Sequence, residues 1–367
     1  MNTYVKNRIV TMSFFIMIIG FMVMNMLIPD EMYSVSERRK LKGVPEYSLE
    51  HMLDGKVFED FEAYTLDQFV FRDFFRGVKA FGTYQLFHRK DNNDIYIVNG
   101  NINKLLYPLN ENAIMNAANK LNEVYNRYLT GKNVSFAIIP DKNYFVAEVN
   151  GYLSLDYGKL IEIMKQNVEN MHYIDLFDSL TIKDFYNTDL HWKQERLVGI
   201  ADKLLTEMGN RLVASNTEYT KIEYEPFFGS YYGQAALNLK PDRLICLTND
   251  ILENAIVYDY ETNTEGKVYI PEKFGSMDSY DIYLNGAKPL LTIENPNSGS
   301  ERELIIFRDS FGSSIAPLLL SGYSKITLVD LRYISSRILG DYIDFSKDMD
   351  VLFLYNTQIL NNSYMLK

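Results

Sequence analysis

In Glu303-Leu304-Ile305-Ile306-Phe307-Arg308-Asp309-Ser310-Phe311-Gly312, four consecutive apolar residues run into a polar triplet and then a Phe-Gly pair. An unbroken apolar run of this length is the pattern of a strand buried on both faces, as in parallel sheets covered by helices. The pattern predicts a strand over Glu303 to Phe307, a tight turn, and a helix over Gly312 to Leu320. Such a strand-turn-helix presents the Ser310 hydroxyl at the carboxyl edge of the sheet, and the helix N-terminus brings N–H groups to where an oxyanion would develop.

Outward from this stretch the same alternation continues. Strands are predicted at Lys325 to Val329 and Val351 to Tyr355, with a helix near Ser335 to Ile343 between them. Upstream, Ile114, Ala117, Leu121, Val124 and Tyr128 mark one face of a helix closing near Gly131, followed by a strand from Val134 to Ile139 and a break at Pro140. A second helix, a run from His172 to Leu176, and a helix outlined by Leu197, Ile200, Leu204 and Met208 complete the pattern. The class is α/β with an open, mostly parallel sheet. Residues 217–299 break the alternation with short Tyr- and Asn-rich segments and read as a mostly β insertion. Residues 111–367 therefore form the expected core domain, 29–110 a stalk and helical lead-in, 9–28 a transmembrane helix and 1–8 a short cytoplasmic tail.

The 367 residues suit one elaborated α/β domain, and 47% hydrophobic with 14% aromatic residues supply a packed core. A net charge of −11, with no Lys/Arg stripe, excludes nucleic-acid binding. The single cysteine, Cys246, excludes an intramolecular disulfide framework and any CxxC metal site; in its apolar strand pattern it reads as a buried structural thiol. Ile9 to Ile28 is an almost unbroken apolar run of about the 20 residues that a spanning helix needs. Lys6 and Arg8 precede it and Asp30 and Glu31 follow, which sets the N-terminus inside and the remaining chain outside; a cleaved signal peptide is the rival reading. Between Phe58 and Phe87, aromatic residues recur at three- and four-residue steps and predict packed helices rather than a cofactor box.

Four histidines exist: His51, His88, His172 and His191. His191 lies in Tyr186-Asn187-Thr188-Asp189-Leu190-His191-Trp192, and in extended backbone positions i and i+2 point to one side, so the Asp189 carboxylate can meet the imidazole. A carboxylate there fixes the tautomer and stabilises the imidazolium formed when the ring takes a proton. With Ser310 these residues make a candidate Ser-His-Asp set, provided the chain brings the two segments together. Plain alternatives stand beside it: helix N-caps at Asp189, Asp309 or Ser310, and a satisfied surface histidine at 191. No further His or Cys near Asp189 and His191 offers a metal ligand, and neither metal nor cofactor is expected.

The chain resembles the DHHW protein family, which is similar to the SGNH-like acetyltransferases that modify exopolysaccharides such as alginate and bacterial cellulose. The matching pieces are Ser36 to Arg39, Asp67-Gln68-Phe69 with Arg72, Pro140 to Tyr144, Thr188 to Trp192, Asp309 to Gly312, Asp330 to Tyr333 and Leu354 to Asn356. The resemblance implies an SGNH-hydrolase-like three-layer α/β/α sandwich in which Asp189 orients His191, His191 acts as base and Ser310 forms the acyl-enzyme. Two departures are visible: Leu190 stands where the family name has a first His, and Arg308 where many SGNH-like enzymes have Gly.

Supporting polar groups are expected at strand ends, where ligands collect in open α/β sheets. Asn143, Arg332 and Asn356 follow apolar strand patterns, with Arg332 a candidate for oxyanion or acidic-sugar contact or a surface ion pair. Gly229 and Gly233 are candidates for close backbone approach to substrate or for plain turns, Tyr231 for stacking on a sugar or for core packing, and Trp192 for a substrate contact beside the base. The expected function is an extracytoplasmic, membrane-anchored O-acetyltransferase on a secreted or cell-wall polysaccharide. Its implied partner is a membrane-bound O-acyltransferase that passes acetyl groups outward, since no acetyl-CoA is present outside. An esterase or deacetylase with the same triad, and a non-catalytic membrane-tethered binding protein, are the alternatives.

Overall fold

A computed structural model describes residues 2–367, so of the expected tail 1–8 only Met1 lies outside the described residues. The chain divides into two compact units, Met1–Asn92 with Gly233–Asn238, and Asn93–Tyr232 with Leu239–Lys367.

In the first unit, helix α1 (Thr3–Leu27) starts at an Asn2 cap whose side chain accepts from the Tyr4 N–H. Among the described residues it is the one helix long and apolar enough to cross a membrane. A two-residue antiparallel pair, β1 (Tyr33–Ser34) and β2 (Arg39–Lys40), is followed by α2 (Leu49–Leu53), α3 (Lys56–Asp67) and α4 (Arg72–Phe81). Arg39 meets Asp67 at 2.5 Å and Arg72 meets Glu37 at 2.5 Å, tying the segment after α1 to the two longer helices. The aromatic stretch is helical as its spacing predicts, but several of its phenyl rings are not packed away: Phe58, Phe61, Phe74 and Phe81 are exposed. Gly233 belongs to this unit, where a Cβ would overlap the Ser36 carbonyl, so its lack of side chain serves backbone packing rather than substrate.

The second unit begins at Asn93, so the stalk expected to reach 110 ends earlier: β3 (Ile95–Val98) and β4 (Asn101–Lys104) already form an antiparallel hairpin of the larger unit. Then come α5 (Glu111–Val124), β5 (Asn133–Ile139), α6 (Lys142–Val146), α7 (Tyr157–Asn167), β6 (His172–Asp175) and α8 (Val198–Glu207). They are followed by β7 (Thr220–Phe227), α9 (Ser230–Ala235, of which Gly233 onward is counted in the first unit), β8 (Asp242–Thr248), α10 (Asp250–Asn254), β9 (Ile256–Asp259), β10 (Thr264–Gly266) and β11 (Leu290–Glu294). The last elements are β12 (Glu303–Arg308), α11 (Gly312–Leu319), β13 (Lys325–Val329), β14 (Asp350–Asn356) and α12 (Thr357–Leu360).

Eight strands form one sheet in the order β10-β9-β11-β13-β12-β14-β5-β6, parallel from β13 to β6 and antiparallel from β10 to β13. Alternate residues feed two cores. On one face Leu304, Ile306, Leu352 and Leu354 pack with Ile200 and Leu204 of α8 and Ile315 of α11. On the other Ile305, Phe307, Val351 and Phe353 pack with Leu121 of α5 and Leu160 of α7. This is the α/β/α sandwich, and its parallel strands are apolar throughout because both faces are covered.

Two expectations change. Residues 217–299 are not one insertion: β7 and β8 pair by themselves, whereas β9, β10 and β11 extend the main sheet. The physical reason lies in β11, where Leu290 and Leu291 are buried in opposite cores and so require a covered sheet position. The helix expected near Ser335 to Ile343 is a short 3-10 segment, Ser336–Asp341, whose last two residues, Gly340 and Asp341, are poor helix formers. Cys246 is buried in β8, and burial pushes its thiol up to about 12, leaving it unreactive.

Candidate active site

β12 ends at Arg308, and Ser310 occupies the turn before α11, at the carboxyl end of the parallel strands. The turn is built by Asp309. One of its carboxylate oxygens accepts the Phe311 N–H at 2.9 Å, and the other accepts the Asn356 N–H at 2.6 Å from the end of β14. Burial pushes the Asp309 carboxyl above the usual carboxylate range, opposed by the nearby Arg332 cation and these N–H donors. Arg308 runs its fully buried stem beneath α11. A Cβ at Gly312 would lie 2.6 Å from Arg308 Cβ, so only glycine lets the arginine pass. The guanidinium stands 3.8 Å from Asp330, and burial lowers its pKa.

The Asp-x-His segment is a tight hairpin, with Phe185 bridged to Trp192 and the Tyr186 N–H donating to the His191 carbonyl at 3.1 Å. At its tip Asp189 Oδ1 accepts the His191 N–H at 2.9 Å and lies 2.6 Å from His191 Nδ1. Asp189 Oδ2 accepts the Ser230 N–H at 2.6 Å. On the far side of the ring, His191 Nε2 is 2.8 Å from Ser310 Oγ, although 119 residues separate them in sequence. Asp189 and His191 are buried while Ser310 is half-exposed. The geometry is a continuous hydrogen-bonded chain from a buried carboxylate through an imidazole to a reachable hydroxyl.

Buried side chains hold the two segments in register. Trp192 Nε1 donates to the Phe311 carbonyl at 3.1 Å and to Ser314 Oγ at 2.9 Å, and Gln194 Nε2 donates to the Ser314 carbonyl at 2.7 Å. Tyr280 lies flat on the imidazole, with centroids 3.8 Å apart and planes 5° from parallel, and its hydroxyl bonds Ser314 at 2.7 Å. Asp242 accepts the Thr188 N–H and hydroxyl, each at 2.7 Å, and so closes the hairpin base. Tyr280, Gln194 and Asp242 were not singled out from the sequence. Tyr280 carries no signal among 28 tyrosines, whereas Gln194 lies only three residues past His191.

Several expected substrate contacts prove to be internal fasteners. Trp192 is fully buried by the bonds just described. Asn143 is buried, its amide accepting from Tyr96 at 2.6 Å and donating to the Lys104 carbonyl at 2.6 Å. Asn356 caps α12 through Gln358 and donates to the Ile139 carbonyl. Tyr231 is buried, with its hydroxyl taken by Gln358 at 3.0 Å, so no ring face is open to a sugar. Gly229 gives its N–H to Thr188 Oγ1 at 3.0 Å, and a Cβ there would fall against Asp189 and Thr188; the glycine lets its segment reach the Asp189 carboxylate. The expected oxyanion donors of α11 are engaged as well: the Phe311 and Gly312 N–H groups bond Asp309, and the Ser313 N–H bonds the Ser310 carbonyl. Arg332 keeps a cation at the end of β13, locked onto Asp330 through Nε at 2.9 Å and Nη2 at 2.6 Å and only partly buried.

Lys142 fastens the hairpin from beneath. It is buried, and Nζ donates to the carbonyls of Ile102 at 2.5 Å, Tyr186 at 2.8 Å, Asn187 at 3.1 Å and Asp189 at 3.2 Å. Burial lowers its pKa to about 7 from the usual 10.5, with Asp189 and Asp242 pulling it up and Lys193 down. Below pH 7 both folded and unfolded chains carry this proton; between 7 and 10.5 only the unfolded chain does, so the Lys142 contribution to stability rises with pH across that window. Lys142→Met, which strips the Ile102, Tyr186 and Asp189 carbonyls of this donor and leaves Asn187 only the Ile102 N–H, is expected to cost about 2–3 kcal/mol and to abolish this pH dependence. Denaturant midpoints of both proteins at pH 6.5 and pH 9 would check it, using the arithmetic of about 1.4 kcal/mol per pKa unit.

Among the described residues no group of three or more His, Cys, Asp or Glu is arranged to hold a metal ion. No protein-family model matches the chain, and no curated protein matches it. Among solved structures, a DHHW family protein from Eubacterium siraeum is similar over 75% of this chain and 95% of its own, with 19% identity and a TM-score of 0.58. Bacillus cereus PatB1 carrying a sulfonyl adduct is similar over 74% of this chain and 97% of its own, with 18% identity and a TM-score of 0.59. A second PatB1 structure gives a TM-score of 0.58 at 18% identity, over 73% of this chain and 97% of its own. The chain thus has the fold of a DHHW family protein and of PatB1.

Proposed function

We propose that this chain is a membrane-anchored, extracytoplasmic O-acetyltransferase that acts on a secreted or cell-wall polysaccharide through an acyl-enzyme on Ser310. The observation that carries the reading is the unbroken contact of His191 with Asp189 at 2.6 Å and with Ser310 at 2.8 Å. His191 Nε2 takes the hydroxyl proton as Ser310 Oγ bonds the acyl carbon of the donor. The tetrahedral adduct collapses with breakage of the bond to the leaving group, which takes the proton from the imidazolium. A sugar hydroxyl then gives its proton to His191 and attacks the acyl carbon, and Ser310 leaves with that proton returned. Tyr280 against the ring favours the imidazolium that appears in each half-reaction. Arg332 is the candidate for holding an acidic group of donor or acceptor.

The anchor reading rests on α1, with Lys6 and Arg8 before its apolar run and Asp30 and Glu31 after it. A membrane acyltransferase as acetyl supplier follows from the lack of acetyl-CoA outside the cell. Half-exposure of Ser310 favours one second reading, in which water replaces the sugar and the protein is an esterase. Incubating the full chain with an activated acetyl ester and a cell-wall or exopolysaccharide oligosaccharide separates the two. Acetyl on the sugar is expected; acetate alone, at an unchanged rate whether or not sugar is present, would leave only the esterase.

A further inference from the structure

Helix α4 carries Phe74, Phe75, Val78 and Phe81 at i, i+1, i+4 and i+7, one continuous apolar face, and Phe74, Val78 and Phe81 are 66%, 52% and 62% exposed. Phe58 and Phe61 of α3 add two more exposed rings. The opposite side of the pair is polar and satisfied: Arg72 and Arg76 reach Glu37 at 2.5 and 3.4 Å, and Arg39 reaches Asp67 at 2.5 Å. An apolar surface of this extent signals an apolar neighbour.

The neighbour is indicated by what α4 already touches. Phe69 and Phe75 pack on Phe21 of α1 with ring centroids 5.7 and 5.8 Å apart, and the Val70 N–H donates to Asn25 Oδ1 at 2.8 Å. Gln68 bonds both backbone groups of Glu31 at 3.0 Å, and the Tyr64 hydroxyl bonds Asp30, so the helices are fixed to the last turns of α1 and the residues just after it. A helix of 25 residues is about 37 Å long, longer than the hydrocarbon layer of about 30 Å. With the helix centred on that layer, Phe21, about 9 Å before its end, lies roughly 5 Å beneath the outer boundary between acyl chains and headgroups. Aromatic rings gather at that level in membrane proteins, and amphipathic helices lie there with the apolar face sunk about 5–10 Å.

Resting on the membrane-anchor reading above, we infer that α3 and α4 form an interfacial collar whose Phe58, Phe61, Phe74, Val78 and Phe81 face is immersed in the outer leaflet beside α1. The occupant of this face is lipid. The collar fixes the first unit against the bilayer surface.

The test uses the full chain in phosphatidylcholine vesicles. Because Cys246 is buried, single cysteines placed by Phe74→Cys, Phe81→Cys, Phe14→Cys in α1 and Asn263→Cys on an exposed turn can each carry a nitroxide. Collisions with oxygen, which concentrates in lipid, and with a water-soluble nickel chelate are then compared. The labels at 74 and 81 are expected to show an oxygen-to-nickel ratio several-fold above that at 263 and closer to that at 14. A high ratio at 14 with ratios at 74 and 81 equal to that at 263 would overturn the collar while leaving the anchor intact. A low ratio at 14 as well would overturn the anchor and the collar together. Labels at 74 and 81 shielded from both reagents would assign the face to a protein partner or a second copy and overturn the lipid assignment.

Discussion

Ser310→Ala is expected to lower the turnover of an activated acetyl ester by about 10⁴- to 10⁶-fold while the fold stays intact. The hydroxyl is half-exposed and its contact is to His191 at 2.8 Å, so its removal opens no cavity and strands no buried backbone group. Stability should stay within about 0.5 kcal/mol of the wild type. What is lost is the atom that would form the acyl bond. A direct attack of the acceptor on the donor, assisted by His191 alone, is the only remaining route. Steady-state rates with the acetyl ester, alongside a thermal melt of the same sample, check both halves. A rate within tenfold of wild type in a folded sample would remove Ser310 from the chemistry.

Asp189→Asn is expected to lower turnover by about 10⁴-fold, mostly in kcat. The carboxylate now accepts three N–H groups: the His191 ring and backbone through one oxygen, and the Ser230 backbone through the other. An amide offers a single oxygen. If that oxygen faces His191, its NH₂ group opposes the Ser230 N–H; if it faces Ser230, the NH₂ group opposes Nδ1 and drives the ring proton to Nε2. In that second state the nitrogen facing Ser310 is a donor and accepts nothing. Either arrangement leaves a buried donor without an acceptor, so a stability loss of about 1–3 kcal/mol should accompany the kinetic one. A ring-nitrogen NMR signal moving between tautomers would separate this cause from simple loosening of the hairpin.

The strands that build the platform could be read from the chain because burial on both faces demands uninterrupted apolar runs, as in Leu304 to Phe307 and Val351 to Tyr355. The site hairpin was legible for a different reason: with few histidines, Asp189 and His191 stood out at a spacing that extended backbone makes productive. The closure between His191 and Ser310 was not legible. It depends on Trp192 and Gln194 reaching Phe311 and Ser314, contacts between segments with no local signature. Tyr280 was hidden in a Tyr-rich stretch whose strands looked like a separate insertion. Polar residues at strand ends suggest ligand contacts in the sequence, yet Asn143 and Asn356 bond carbonyls and N–H groups that the sheet termini leave without partners. Lys142 belongs to the same class, a buried amine placed to satisfy loop carbonyls that face inward.

The most direct test of the central claim is to treat the full chain with a sulfonyl fluoride, the reagent class that forms sulfonyl esters on activated serines, and to map the adduct by mass spectrometry. One adduct on Ser310 is predicted, absent from Ser310→Ala and formed far more slowly in Asp189→Asn. A folded protein that stays unlabelled, or that is labelled at Ser230 or Ser314 instead, would contradict the account.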